Sequence, residues 1–234
     1  MTIPAKYDLT YGVRQWGMLG NNRFGDCYES AFEHLRMSKA MSGRSPLHKA
    51  LYRTGFRPPH TTYVEEIYFE YGHSIGETGA QPNLGTSAST FATFAAKHKL
   101  ALGAASVDIT PSNPNWQSDM RQAMIDFGGG ILSVNLNRDI WRQFYSETLP
   151  LDVNPNTQPP VPNIGGHALA HLRFDPEHDV YITWGRPKVA TLNWTEYSRI
   201  EYWVFVTPED VANPNFDHQA ALAKIATMQD GIVA

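Results

Sequence analysis

The chain has 234 residues, of which 42% are apolar and 12% aromatic, and its formal net charge is −4. This is a globular composition, and the lack of any Lys/Arg cluster excludes a basic nucleic-acid-binding face. One cysteine excludes an intrachain disulfide, and no apolar run approaches the ~18 residues of a membrane span.

Residues 1–25 read as an extended, Gly-rich lead-in, and Met1–Asp8 lacks an apolar signal core. A cytoplasmic location is therefore expected. Asp26 then opens a helix, with Glu29 at the place that completes a capping box. Tyr28, Ala31, Phe32 and Leu35 recur at helical spacing and predict a core-facing side. Residues 44–60 read as loop, Tyr63 to Tyr71 as a short helix, and Gly72 to Gly85 as loop again. Thr86 or Ser87 caps a helix running to Leu100, and Trp116 to Phe127 predicts another.

The pattern changes at Gly128-Gly129-Gly130. Ile131–Leu136 reads as a strand, and Ile140, Trp141, Phe144 and Tyr145 as a short aromatic helix. Residues 150–164, rich in Pro and Asn, predict a long loop. His167–Phe174 and Val180–Trp184 predict two strands joined by a turn at Asp175–Asp179. Tyr202–Val206 is a further strand, Pro208 starts a turn, and Phe216 to Met228 is a terminal helix. Helices first and antiparallel strands second point to an α+β fold.

Two residues carry the chemistry. Cys27, the sole cysteine, sits at a helix start, where the helix dipole lowers a thiol pKa; the adjacent Asp26 carboxylate raises it. His167 follows two glycines at the head of a distant strand. A thiol on a helix and an imidazole on a far strand are the parts of a nucleophile–base pair. Asn21, six residues before Cys27, places an amide donor where an oxyanion would form, beside the Cys27 N–H. Thr183 and Trp184 end the strand after His167. His167 and His171 form an HxxxH spacing, but without the glutamate that follows the first histidine in metalloproteases. The triple glycine precedes a strand and not a helix, so it is no phosphate cradle. Neither a metal nor a cofactor is expected.

In this order, the pieces resemble the papain-like cysteine peptidase superfamily, and papain-like proteins of actinobacteria and their phages in particular. Gly20-Asn21, Gly25-Asp26-Cys27, the strand at Ile131–Leu136, the aromatic run Trp141–Tyr145, His167-Ala168 and Thr183-Trp184-Gly185 carry the resemblance. Asn21 stands where papain has glutamine, and Ile182 where papain has the catalytic asparagine.

The resemblance implies one papain-like domain over 1–234. It would have a helical lobe over about 1–127, carrying Cys27, and a β-rich lobe over about 128–234, carrying His167. It implies a cysteine peptidase or amidase in which Cys27 attacks a peptide or other amide, His167 serves as acid and base, and Asn21 stabilises the oxyanion. Thr183, a backbone carbonyl or water would orient His167 in place of the missing asparagine. Two other roles remain open. One is a weak or inactive papain-like module with a binding or structural role and protein partners, for instance in a phage particle. The other is acyl transfer to an amine.

Overall fold

Antiparallel pairing organises the chain. The structure is a computed structural model that describes residues 3–42, 58–77, 85–145, 150–153 and 165–234. Its strands are β1 (Tyr7–Asp8), β2 (Gly103–Val107), β3 (Gly130–Leu136), β4 (Gly165–Phe174), β5 (His178–Thr183), β6 (Arg186–Thr191), β7 (Arg199–Val206) and β8 (Ile232–Val233). They form one sheet in the order β6-β5-β4-β3-β7-β2-β8, with β1 paired to the end of β4 beyond β3, and every pairing between these strands is antiparallel. The helices are α1 (Cys27–Ser42), α2 (Pro58–Ser74), α3 (Ala88–Lys97), α4 (Trp116–Phe127), α5 (Arg138–Tyr145), α6 (Leu192–Ser198), α7 (Pro208–Val211) and α8 (His218–Ile225). The architecture is α+β, as the order of helical and strand patterns predicts. None of the described helices is long and apolar enough to cross a membrane.

Strand alternation divides the core in two. Ile131, Ala168, Ala170, Leu172, Ile182, Trp203 and Phe205 point to one face, where they pack with residues of α1, α2 and α3. Leu132, Val134, Leu169, Tyr181, Tyr202 and Val204 point to the other face and meet α4, α5, α6 and α8. The β4–β5 register, Ala170 opposite Ile182 and His171 opposite Tyr181, fixes the face of each residue near the head of β4.

Helix α1 is buried on nearly all sides, Tyr28 through Ala40. Its apolar stripe faces the sheet, while its polar side is closed by ion pairs to α7. Arg36 Nη2 lies 2.7 Å from Glu209 Oε1, and Lys39 Nζ lies 2.5 Å from Asp210 Oδ2. Lys39 also donates to the carbonyls of Phe127 (2.6 Å) and Phe205 (2.8 Å). A buried ammonium with three oxygen partners is satisfied, so the helix can sit inside the protein and present its N-terminus at the sheet.

Several boundaries differ from the sequence reading. The loops expected over 44–60, 72–85 and 150–164 lie largely outside the described residues; where they are described, α2 begins at Pro58 and runs to Ser74. Pro58 and Pro59 occupy the first helical turn, where the missing N–H groups cost nothing. Strands β2 and β6 and helix α6 are additional elements. Asp26 does not cap α1 through its side chain, because both carboxylate oxygens lack a hydrogen-bond partner. Glu29 accepts from Thr86 Oγ1 at 2.7 Å instead of reaching back to close a capping box.

Candidate active site

Cys27 is the first residue of α1 and is partly exposed. The Ala168 backbone on β4 lies near its thiol and favours the thiolate. His167 is the residue just before. Consecutive residues of a strand point to opposite faces, and here Ala168 joins the α1 face. The His167 ring instead lies against Phe144 (centroids 5.7 Å apart) and Trp184 (5.0 Å), both of which belong to the other face. The thiol thus meets the backbone one residue along β4 from His167, whose ring packs toward the other face of the sheet, and no hydrogen bond joins the two side chains among the described residues.

The imidazole is firmly held. His167 Nε2 lies 2.7 Å from Thr183 Oγ1, and both residues are buried. Ile182, which the papain resemblance would match to an asparagine, points the other way, into the cluster that contains α1. The group that holds the ring is Thr183, and Ile182 is a core residue.

Trp184 and Gly185 form the two-residue connection between β5 and β6, with Thr183 opposite Arg186. Both have left-handed backbone, φ 44° at Trp184 and 73° at Gly185. A turn with positive φ at both central residues suits the twist of the hairpin, yet usually takes Asn, Asp or Gly first. Tryptophan there is strained, and its indole lies against the His167 ring. Trp141 and Tyr145 of α5 pack on the same indole, at 5.0 and 5.6 Å.

Gly185 also pairs with Gly17, which anchors the lead-in loop beside the site. A Cβ built on Gly185 would lie 2.8 Å from the Gly17 carbonyl carbon and 3.1 Å from the Met18 nitrogen, both backbone atoms. Gly185→Ala is therefore expected to lower stability by roughly 1–3 kcal/mol, from combined backbone strain and clash. Thermal unfolding checks this; an unchanged Tm would show that the loop yields freely.

Asn21 sits half-buried in the turn of that loop, its backbone N–H donating to the Met18 carbonyl at 3.0 Å. Its carboxamide makes no hydrogen bond to the described residues. His34, two turns along α1 from Cys27, holds the loop from below: its Nε2 lies 3.0 Å from the Gly17 carbonyl and 3.2 Å from that of Trp16. The sequence reading gave His34 no role. The signal was its seven-residue spacing from Cys27, which places both on one face of the helix.

The electrostatics favour the neutral forms of both Cys27 and His167. Burial, then the carboxyl of Glu29, and more weakly that of Asp26, push the Cys27 thiol up to about 12. Burial alone pushes His167 down to about 4. His171, the other histidine of the HxxxH spacing, is occupied elsewhere. Its Nδ1 lies 3.2 Å from the Tyr202 hydroxyl and its Nε2 3.5 Å from Asp179, itself paired with Arg121. No group of His, Cys, Asp and Glu among the described residues is arranged to hold a metal ion.

Set against protein-family models, curated proteins and solved structures, the chain finds no match. The functional reading therefore rests on this geometry and on the motifs that led to it.

Proposed function

We propose that the protein is a papain-like cysteine hydrolase of peptide or other amide bonds, with Cys27 as nucleophile and His167 as acid and base. The observation that carries this reading is the held imidazole. A buried histidine, oriented by a threonine hydroxyl and roofed by a tryptophan, directly precedes Ala168, whose backbone lies near the thiol of a helix-starting cysteine.

Because both groups rest neutral, the thiol proton passes to His167 as sulfur attacks the carbonyl. For this, Nε2–H must donate to Thr183 Oγ1 so that Nδ1 keeps its lone pair as the base. The Cys27 N–H at the helix start, with Asn21, binds the oxyanion. His167 then protonates the leaving amine, and a water activated by the same imidazole releases the acid.

A second reading has its own support. A thiol raised to about 12, two acidic neighbours and no sulfur–imidazole hydrogen bond suit a papain-like module that binds or builds, for instance within a phage particle, and does not turn over. Hydrolysis of a pool of synthetic peptides, followed by mass spectrometry, separates the two. For the enzyme, cleavage is expected in the wild type and lost in both Cys27→Ala and His167→Ala, with both variants folded. No cleavage by the wild type, or cleavage that survives Cys27→Ala, overturns the hydrolase reading.

A further inference from the structure

Beneath Cys27 lies a knot of carboxyl groups that the proposed mechanism does not use. Asp26 is fully buried, and neither of its oxygens has a hydrogen-bond partner. Glu29, one turn further along α1, is 1% exposed; Thr86 satisfies one oxygen and the other is unpartnered. Glu65 of α2 closes the group. Gly20, at φ +97°, is wedged between the two elements: a Cβ there would lie 2.5 Å from Asp26 Oδ2 and 3.5 Å from Glu65 Oε1. Only a glycine lets the lead-in loop pass between these carboxyls.

The charged and titratable groups around the knot are few. Arg23 reaches Glu65 at 3.5 Å from a largely exposed position. Tyr68 of α2 faces Glu29, Asp26 and Cys27. Tyr28, fully buried, has an unpartnered hydroxyl. Nothing cationic touches Asp26 or Glu29 among the described residues. Buried carboxyls without cationic partners are held neutral by desolvation and by one another.

We propose that Asp26 and Glu29 form a proton-linked gate on the Cys27 thiol, whose ionisation is easier while these carboxyls are protonated and is held back further once they ionise. Burial, and then the neighbouring Glu29, raise Asp26 to about 8; burial raises Glu29 to about 7. As pH climbs through that window, the carboxyls ionise first and their charge pushes the thiol up. Thiolate therefore accumulates more slowly with pH than a single free thiol would allow. The sequence Gly25-Asp26-Cys27 then carries both the nucleophile and its restraint, which flattens the rise of reactivity with pH across that window.

The inference deepens the reading of Cys27 as nucleophile and rests on it, but its test needs no substrate. Cys27 is the sole cysteine, so mass spectrometry reads its alkylation by iodoacetamide without ambiguity. In the full-length wild type, from about pH 6 to 10, the alkylation rate is expected to rise less than tenfold per pH unit. Asp26→Asn and Glu29→Gln should restore a tenfold rise per unit and, near pH 9, react at least about tenfold faster than wild type. Rates that superimpose on the wild type in folded variants overturn the gate. A direct 13C titration of the Asp26 carboxyl in the wild type guards against a variant that does not fold: titration near the ordinary carboxylate pKa of about 4 also overturns it. Failure here leaves the peptide-cleavage result untouched, and the reverse holds.

Discussion

Replacing Ile182 by asparagine is expected to destabilise the protein by about 3–5 kcal/mol and to give no gain in turnover. A papain-like alignment suggests the opposite, because asparagine at that place would restore the missing partner of His167. The structure shows why the repair fails. Ile182 is fully buried and packs with Ala168, Ala170, Trp16 and residues of α1. It pairs with Ala170, on the face away from the imidazole. The substitution removes a packed aliphatic side chain, worth roughly 2–5 kcal/mol when truncated in a core. It also buries an amide without a partner, at about 1–3 kcal/mol more on mutational scales; partial relaxation of the site keeps the total below the sum. Urea unfolding gives the number. A variant within about 1 kcal/mol of wild type, or one whose introduced amide bonds His167, would show that β5 is placed one residue out of register.

That one-residue difference is where legibility in the sequence ends. The pattern Thr183-Trp184-Gly185 places the strand and its hairpin, and the indole lies over His167. Pattern matching then assigns the ring's partner by counting back from tryptophan. A strand has period two, so a step of one residue moves the partner to the opposite face. The hydroxyl that does reach the ring is on Thr183, which the sequence reading named among the supporting residues.

Other elements were hidden for different reasons. Strand β2, Gly103-Ala104-Ala105-Ser106-Val107, has small residues and weak alternation, and exists because β7 and β8 pair with it on either side. Helix α1 reads as amphipathic, yet its polar face is buried too. Its partners Glu209 and Asp210 are distant in sequence, beyond the reach of any local pattern. Asp26 and Glu29 have the spacing of a capping box; tertiary packing overrides it by drawing Glu29 to Thr86 and leaving Asp26 unbonded.

Thr183→Val should cut kcat by on the order of 10²-fold while changing KM little, if the hydrolase reading holds. The swap keeps the shape and removes one hydroxyl. In the wild type, Nε2 lies 2.7 Å from that hydroxyl, which fixes the ring plane and, by accepting from Nε2–H, would hold the tautomer the mechanism needs. Without it, Nε2 has a methyl group as neighbour, and the proton is free to move to Nδ1, the nitrogen that must accept from the thiol. The base is then lost in part of the population, and the buried imidazole has an unsatisfied nitrogen, costing roughly 1–3 kcal/mol. Thr183→Ser restores the hydroxyl and should recover most of the rate, a rescue that a packing role for the threonine methyl would not give. Imidazole 15N shifts supply a readout independent of turnover: the wild type is expected with the proton on Nε2, and the valine variant with a tautomer mixture. Identical 15N shifts in both would show that Thr183 does not set the tautomer. Full activity in the valine variant would remove it from the mechanism.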